Sequence, residues 1–302
     1  MKFSFIILTY NRAQATREAI DNVLFFLDLP ENCSRELILV NNNSSEDYTG
    51  LELYLKSLEQ DSNQEIVYFK NDKNFGVAGG RNQAMEAAKG EIIISLDDDA
   101  EFRESNTLQI ILDLFVKYEK ENVKLLTFKV VEQADGSVDI ATKNPANYQK
   151  NEFFTSYFKG GCHAILNDSL KEVGMYELDG LYGAEEYDLA YKFIDQGYKI
   201  VHSSSISILH KRVLSGRMQS KEVYARLMKN KTILAYKYLP YRYYLSHLFL
   251  WSLFFLFKSR FKLAYWWKSC QEILLAVKSL PRKPISKQAR SYIIKNGGRL
   301  SY

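Results

Sequence analysis

The first hundred residues alternate between short, largely apolar runs and longer stretches whose apolar residues recur with a helical period. The run at residues 3–8 is apolar throughout except for one serine. A strand of this kind is buried on both faces, and strands separated by helices form a mainly parallel sheet covered on both sides. The predicted strands and helices of this part are strands at 3–8, 36–40, 66–69 and 92–96, and helices at 12–26, 51–58 and 77–88.

Polar clusters stand where these four strands end. They occupy residues 9–12, 41–45, 71–74 and 97–99. The carboxyl ends of parallel strands meet at one edge of a sheet, and open α/β sheets bind their ligands there. The alternation therefore predicts an α/β fold with one ligand site at this edge.

Three adjacent aspartates, Asp97, Asp98 and Asp99, follow the fourth strand. Carboxylates this close repel one another and raise one another's pKa unless a cation neutralises them. A divalent ion such as Mg²⁺ or Mn²⁺ is the natural partner, bound by one or two carboxylates together with substrate phosphates. A solvated acidic turn is the alternative, but the position at the end of a central strand favours the metal.

The rest of the chain is less regular. Its predicted elements are strands at 123–131, 160–166, 198–201 and 206–209, a loop or hairpin at 132–151, and helices at 185–196, 222–238, 243–257 and 263–277. Pro240 ends one of these helices, and the two apolar, aromatic helices come after it. We therefore divide the chain into a catalytic domain, 1–240, and a helical extension, 241–302.

Composition limits the class of protein. With 302 residues the chain can form one large domain with an appendage, and its five prolines predict disorder only in about the last twenty residues. The three cysteines, Cys33, Cys162 and Cys270, form no CxxC pair, which indicates a reducing cytoplasm rather than a disulfide framework or a zinc site. The apolar N-terminal run ends after six residues with no cleavage site, so it reads as a strand and not as a signal peptide.

Charge is concentrated at the C-terminus. Residues 258–302 contain eleven Lys or Arg and one acid, whereas the remainder carries 29 basic and 35 acidic residues. The segment 243–257 has fifteen residues, fewer than the roughly 20 that a membrane span needs. Aromatic residues with lysines suit a helix lying in a membrane interface. Packing on the catalytic domain and a homodimer contact are the alternative roles of 241–302, and we expect no nucleic-acid partner.

Six segments together resemble one enzyme family. They read LTYNR at 8–12, VNNNSS at 40–45, NFGVAGGRN at 74–82, DDD at 97–99, GG at 160–161 with VGMYE at 173–177, and EEYDL at 185–189. In this order and spacing they resemble the family-2 inverting glycosyltransferases, a group that includes bacterial rhamnosyl-, galactosyl- and N-acetylglucosaminyl-transferases. The resemblance covers residues 3–240 and implies the GT-A fold, an α/β fold with a Rossmann-like, mainly parallel central sheet.

The resemblance also implies a nucleotide-sugar donor, either a UDP-sugar or a dTDP-sugar. The donor-binding residues that it implies are Leu8, Tyr10, Arg12, Asn41, Asn74, Gly76, Arg81, Asp97, Asp98 and Arg217. Asn41 replaces an aspartate that reads the pyrimidine edge in many relatives. An amide can still donate and accept hydrogen bonds, so a pyrimidine is compatible with it, while the choice between UDP and dTDP stays open.

Metal and catalytic residues follow from the same resemblance. Asp99, Asp97 and His210 are the implied ligands of Mn²⁺ or Mg²⁺, with Asp99 the principal one. The general base is a carboxylate at the start of a helix, and here two glutamates, Glu185 and Glu186, occupy that place. Both also favour a helix N-terminus simply through its dipole. The sequence does not decide which of the two glutamates is the base. Asp188 is the third predicted catalytic residue and is expected to orient its neighbours.

The implied activity is that of a hexosyl- or N-acetylhexosaminyl-transferase. It would act on a glycan or lipid-linked acceptor in cell-surface polysaccharide synthesis, at the inner face of the cell membrane. A sugar-nucleotide pyrophosphorylase is one alternative, but it requires a glycine-rich phosphate loop after the first strand, and residues 9–16 contain no glycine. A non-catalytic binding module is another, and the presence of both carboxylate clusters argues against it.

Overall fold

The computed structural model describes residues 1–62, 65–140, 145–177, 183–212 and 220–301. The strands are β1 (Lys2–Thr9), β2 (Ser34–Asn41), β3 (Glu65–Lys70), β4 (Ile92–Asp97), β5 (Ala100–Phe102), β6 (Val123–Glu132), β7 (Glu152–Thr155), β8 (Cys162–Leu166) and β9 (Lys199–His210). The helices are α1 (Ala13–Asp21), α2 (Thr49–Ser62), α3 (Gly76–Ala87), α4 (Thr107–Lys117), α5 (Asn167–Val173), α6 (Glu185–Asp195), α7 (Ser220–Tyr238), α8 (Tyr241–Lys258), α9 (Leu263–Ser279) and α10 (Lys287–Lys295).

One sheet of nine strands forms the centre, in the order β3-β2-β1-β4-β8-β6-β9-β5, with β7 paired to β9. The first four of these strands are parallel, as the alternation of strands and helices predicts. Beyond β4 the sheet is mixed, because β8 runs antiparallel to both β4 and β6. The α/β class is therefore confirmed, with a parallel first half and a mixed second half.

The second half differs from the sequence prediction in detail. The two strands expected at 198–201 and 206–209 are one strand, β9, whose pairing with β6 shifts register between Phe128 and Lys129. Serines at 203–205 interrupt the apolar pattern, and for this reason the sequence suggested two strands. A bulge accommodates the serines, so the strand continues through them. The sequence reading also assigned nothing to α4, β5 and β7.

Two apolar cores lie on opposite faces of the sheet. Phe5 and Ile7 of β1 belong to one core together with residues of α1, α2 and α4. Ile6, between them, belongs to the other core together with residues of α3, α6 and α7. This alternation is the period of two that a strand imposes, and burial on both faces explains why β1 is almost entirely apolar.

The C-terminal segment packs into a core that it shares with the first part of the chain. Ile285, Ala289, Ile293 and Leu300 are buried in the same core as Ile6. The expectation of disorder in the last twenty residues is therefore wrong for this segment, since its apolar residues recur at helical spacing. The division at residue 240 stays a prediction. In the part of the chain that the structure describes, every helix is too short or too polar to cross a membrane.

Candidate active site

A cleft of about 990 Å³ opens at the carboxyl ends of β1 and β4. Its wall is lined by Leu8, Thr9, Tyr10, Arg12, Asn42, Asn74, Gly76, Val77, Arg81, Asp97, Asp98, Asp99, Ala100, Val130, Asp139, Tyr157, Lys159, Gly160, Gly161, Cys162, Gly183, Glu185, Glu186, Ile208, His210, Val223 and Arg226. Both carboxylate clusters that the sequence singled out are among them. The strand-end placement predicted from the alternating pattern thus brings them into one site.

The three aspartates occupy different environments. Asp97 is the last residue of β4 and pairs with Leu8 of β1, and its side chain is 43% exposed. Asp98 and Asp99 form the turn into β5 and are only 4% and 2% exposed. The adjacent pairing of β5 with β9 sets His210 opposite Ala100, directly after the triplet.

Arg12 neutralises the two buried aspartates. Its Nη1 atom lies 2.8 Å from Oδ1 of Asp98 and 3.2 Å from Oδ2 of Asp99. The backbone N–H of Tyr10 also donates to Asp98, at 3.4 Å. Burial raises the pKa of Asp98 to about 6, while the charge of Arg12 opposes that rise. Asp98, which the resemblance lists as donor-binding, therefore connects the β1–α1 turn to the aspartate triplet.

His210 lies between two carboxylates. Its Nε2 atom is 3.4 Å from Oδ1 of Asp99, and its Nδ1 atom is 3.3 Å from Oε2 of Glu132. The hydrogen bond with Asp99 raises the pKa of His210, and burial opposes the rise. Glu132 also accepts a hydrogen bond from Nη2 of Arg212 at 2.8 Å. The orientation of the imidazole is therefore set by a carboxylate at each of its two nitrogens.

The predicted metal ligands fit a divalent ion only in part. Among the described residues, no three His, Cys, Asp or Glu side chains converge to hold a metal by themselves. Asp99 and His210 do converge, and their separation of 3.4 Å is close to the roughly 3 Å between neighbouring ligands of one octahedral ion. Glu132 on the second ring nitrogen is the orienting contact that ligating histidines usually make. Two protein ligands leave the remaining positions to phosphate oxygens and water.

Asp97 faces a different partner from the one expected. Its Oδ1 atom lies 2.9 Å from Nη2 of Arg81, a residue of α3 that is itself buried. Among the described residues, the other terminal nitrogen of Arg81 has no hydrogen-bond acceptor, and it lies 3.9 Å from Oε1 of Glu186. Burial opposes the charge of Arg81, but the carboxylates, Asp97 foremost, raise its pKa. One guanidinium thus connects the aspartate triplet to the glutamate pair.

Two glycines make this connection sterically possible. A Cβ atom on Gly160 would lie 2.3 Å from Oε1 of Glu186 and 2.4 Å from Nη1 of Arg81. A Cβ atom on Gly161 would lie 1.9 Å from Oδ2 of Asp97. Real Cβ atoms do not approach other atoms so closely. The Gly-Gly pair is therefore required by the side chains that pack over it, and not by a tight turn.

The structure separates the two glutamates. Glu185 is 3% exposed and accepts a hydrogen bond from the N–H of Ala184 at 2.9 Å. Burial, together with the charge of Glu186, raises the pKa of Glu185 to about 7. The side chain of Glu186 is 14% exposed and approaches Arg81 across the cleft. Glu186 is therefore the more accessible of the two carboxylates.

An aromatic wall stands beside the glutamates. The rings of Tyr157 and Tyr187 lie 4.6 Å apart, and Nζ of Lys231 lies 3.1 Å from the centre of the Tyr187 ring. Burial lowers the pKa of Lys231 to about 7, and the charges of Glu186 and Glu185 oppose that change. Tyr157 lines the cleft, and the ring of Tyr187, which Lys231 covers, packs against it at an angle of 37°.

Three predicted residues are placed elsewhere. Asn41 is buried but outside the cleft lining, where its amide accepts from the N–H of Ser44 and donates to Tyr68, and its neighbour Asn42 lines the cleft instead. Asp188 is fully buried on the far side of α6, accepting a hydrogen bond of 2.6 Å from the hydroxyl of Tyr238. Arg217 lies outside the described residues.

Besides Asn42, four polar or charged side chains farther along the chain line the cleft without having been predicted. They are Asp139, Tyr157, Lys159 and Arg226. Lys159, which forms an ion pair with Asp139, could have been found because it directly precedes the Gly160–Gly161 pair. Arg226 sits within helix α7 and carries no local signal, so only the packing of that helix reveals it.

Comparison with known proteins identifies related sequences. Residues 4–174, more than half of the chain, match the family model described as Glycosyl transferase family 2. The GalNAc(5)-diNAcBac-PP-undecaprenol beta-1,3-glucosyltransferase of Campylobacter jejuni is 26% identical over 180 residues, which cover 57% of this chain and 53% of that enzyme. The chain thus spans about half the length of this relative.

Solved structures of glycosyltransferases share the fold. Staphylococcus aureus TarS 1-349 in complex with UDP-GlcNAc has a TM-score of 0.64 at 18% identity, covering 98% of this chain and 89% of TarS 1-349. The mannosyltransferase PcManGT of Pyrobaculum calidifontis, in complex with GDP-Man and Mn²⁺, has a TM-score of 0.58 at 17% identity, covering 97% of this chain and 83% of that one. The predicted GT-A-like α/β fold, with a helical C-terminal region, is confirmed.

Proposed function

The chain belongs to glycosyl transferase family 2, and from that membership we propose that it is a metal-dependent, inverting glycosyltransferase. The observation that carries this proposal is the contact of Arg81 with Asp97 on one wall of the cleft and its approach to Glu186 on the other. The aspartate triplet lies where a donor diphosphate and its metal would bind. The glutamate pair lies where an acceptor hydroxyl would be activated.

The donor side has the chemistry of a nucleoside diphosphate site. Tyr10, Arg12 and Asn74 line the cleft near the carboxyl ends of β1 and β2, and we propose that they contact the nucleoside of a UDP- or dTDP-sugar. Asn42 lines the same wall, and we propose that it, rather than Asn41, contacts the base of the nucleotide. The relatives' names support a nucleotide-sugar, since TarS was crystallised with UDP-GlcNAc and PcManGT with GDP-Man.

Asp99 and His210 would hold Mn²⁺ or Mg²⁺ together with the donor diphosphate. When bound, such an ion stabilises the negative charge that develops on the leaving nucleoside diphosphate. The complex of PcManGT with Mn²⁺ supports this role, and Glu132 would fix the imidazole of His210 in the orientation needed. Asp97, which contacts Arg81 rather than His210, would serve the donor sugar or ribose instead of the ion.

Glu186 is the proposed general base. The acceptor hydroxyl oxygen attacks the anomeric carbon and forms the new glycosidic bond, while the bond from that carbon to the diphosphate oxygen breaks. The hydroxyl proton passes to a carboxylate oxygen of Glu186, which must be unprotonated and within hydrogen-bond reach. Arg81 places a positive charge beside that carboxylate, with Nη1 3.9 Å from Oε1 of Glu186. Glu185, buried beside Glu186, would help to position that carboxylate. Asp188 would anchor α6 by accepting a hydrogen bond from the hydroxyl of Tyr238.

The acceptor is proposed to be a glycan or a lipid-linked sugar. Tyr157 lines the cleft together with Glu186 and offers an aromatic contact for a sugar. The Campylobacter jejuni relative is named for an acceptor linked to undecaprenol through a diphosphate, which supports the lipid-linked class. Such an acceptor would bring the enzyme to the inner face of the cell membrane, in the synthesis of a cell-surface polysaccharide.

A thermal-shift screen tests the donor assignment. The full chain is heated with UDP, dTDP and GDP and with their sugars, each with and without Mn²⁺. One nucleotide should raise the melting temperature well above the others, and only with the metal, because a ligand at 100 times its Kd stabilises by about 2.7 kcal/mol. Equal stabilisation with and without Mn²⁺ would remove the metal from the proposal, and no stabilisation by any nucleotide would overturn the donor class.

A further inference from the structure

The junction of α8 and α9 exposes an unusual amount of apolar surface. We define the α8–α9 tip as residues 257–268. Phe257 is 74% exposed and Phe261 is 68% exposed, and the other large apolar residues that the tip exposes are Leu263, Tyr265 and Trp267. Soluble proteins scatter such residues singly, whereas a contiguous group marks an interaction surface.

Basic side chains lie among these apolar residues in the sequence. Lys258, Arg260, Lys262 and Lys268 are all exposed, and residues 258–271 contain no acid. The first acid beyond them, Glu272, forms an ion pair with Lys229 of α7 at 2.9 Å, so its charge is directed back at the protein. The exposed side chains of the tip are therefore either apolar or positively charged.

The inner side of the same helices is already occupied. Phe255 and Ile273 are buried in a small core with Met228 and Ile233 of α7. The apolar residues of α8 and α9 thus form two separate surfaces. One packs against α7, and the other is exposed on the outside of the protein. The outward stripe continues along α8 at every fourth residue, and its exposed members are Tyr241, Leu245, Phe249, Leu253 and Phe257.

We propose that the α8–α9 tip docks into the headgroup layer of a bilayer that contains anionic lipid. The occupant follows from the charge, since four cations among exposed apolar side chains complement a surface that is anionic outside and apolar beneath. Phe257, Phe261 and Leu263 enter the boundary between headgroups and acyl chains, and the four basic side chains contact lipid phosphates. The proposal rests on the proposed function only in explaining why the enzyme meets a lipid-linked acceptor, because docking itself requires no turnover.

Vesicle co-sedimentation of the full chain tests the proposal. The vesicles contain either phosphatidylcholine alone or phosphatidylcholine with phosphatidylglycerol. We expect binding to the anionic vesicles at low salt and weaker binding as salt rises, because surface charges are screened. The apolar variant is Phe257→Ser with Leu263→Ser, which avoids the left-handed backbone of Phe261. The charge variant is Lys258→Gln, Arg260→Gln and Lys262→Gln, and each variant should weaken binding at least about tenfold.

Matched controls use exposed residues of the catalytic domain. Leu53→Ser with Val116→Ser removes two equally exposed apolar side chains, and Lys56→Gln, Lys120→Gln and Lys171→Gln remove three exposed charges. Both controls should bind vesicles as the unchanged chain does. Loss of binding in the controls as large as in the tip variants would overturn the proposal, as would equal binding to neutral vesicles.

Two further readouts separate the outcomes. Light scattering measures whether the chain is a dimer that the tip variants convert to a monomer. Such a change with vesicle binding unaltered would assign the tip to a second copy of the chain and overturn the membrane proposal. Donor binding in the thermal-shift screen is expected to be unchanged in all tip variants, so a failure of membrane docking and a failure of the glycosyltransferase assignment are read from different measurements.

Discussion

The two walls of the cleft treat their carboxylates differently. On the wall proposed to bind the donor, here called the donor wall, Asp98 and Asp99 are paired with Arg12 and His210. On the wall proposed to bind the acceptor, here called the acceptor wall, Glu185 is buried beside Glu186, which carries a like charge. The first group of carboxylates is thus compensated by cations that belong to the protein. The second group is not compensated to the same degree, since the guanidinium of Arg81 is 3.9 Å from the nearer glutamate.

The difference matches the tasks proposed for the two walls. A site for a diphosphate and its metal must present fixed charges in a fixed geometry, and ion pairs hold the aspartates in place before the donor arrives. On the other wall, burial beside a like charge raises the pKa of Glu185, and the more accessible Glu186 is the proposed base. The same residue type therefore has a different electrostatic environment on each wall.

Replacement of Glu186 by Gln should produce the largest effect. We expect kcat to fall about 10²- to 10⁴-fold, because the amide keeps the shape of the carboxylate but cannot accept the acceptor's proton. Donor affinity, measured by calorimetry with Mn²⁺, should be unchanged. Glu185→Gln is the matched comparison and should keep most of the activity. The roles are exchanged if Glu185→Gln is the variant that loses turnover.

Asp99→Asn should disable the donor wall instead. Turnover should fall on the order of 10²- to 10³-fold, the scale seen when one preorganised charge-stabilising group is lost. Calorimetry should show that Mn²⁺ no longer strengthens nucleoside diphosphate binding. Asp113→Asn, in an exposed position on α4, is the control and should behave like the unchanged chain. Full metal-dependent binding in Asp99→Asn would refute the ligand assignment.

Gly161→Ala tests the contact between the walls. The added Cβ would lie 1.9 Å from Oδ2 of Asp97, so Asp97 and its partner Arg81 must move. We expect a loss of roughly 1–3 kcal/mol in the free energy of unfolding, measured with urea. A misplaced reacting group also costs turnover, and kcat/KM should fall by at least about tenfold. Gly50→Ala, where a Cβ meets no atom within 4 Å, should change neither quantity.

Glu185→Gln should change the pH dependence of stability. The pKa of Glu185 is raised to about 7, so between pH 4.5 and pH 7 the folded chain holds a proton that the unfolded chain releases. The stability of the unchanged chain therefore falls as pH rises through this window, and Gln removes that loss. Urea unfolding should show equal stabilities near pH 4.5 and an advantage for Gln on the order of 3 kcal/mol at pH 8. A constant difference across pH would contradict the raised pKa.

Much of the donor wall could be predicted from local sequence. The run at 92–96 identified β4, and the aspartates had to lie at its carboxyl end, where the cleft is. Tyr10, Asn74 and Arg81 were predicted by their position in short motifs and do line the cleft. Their place in the cleft could be predicted because a strand and the turn that follows it are close in sequence and in space, while their roles stay predictions.

The remaining features depend on long-range packing. Whether Asn41 or Asn42 faces the cleft depends on the hydrogen bonds of Asn41 with Ser44 and Tyr68, and the latter belongs to another strand. Arg226 enters the cleft only because α7 packs across α6. The apolar residues of 285–300 recur at helical spacing, but only tertiary packing shows that they join the core that contains Ile6.

The sequence by itself determined the fold class, the edge of the sheet that carries the site, and the two carboxylate clusters. The reason is that strand burial and helix starts depend on residues that are neighbours in the sequence. Tertiary structure alone decided the surroundings of each carboxylate. It paired Asp98 with Arg12, directed Asp97 to Arg81 and buried Glu185 behind Glu186. The physical reason is that the pKa and reach of a carboxylate depend on burial and on charges that distant parts of the chain bring to it.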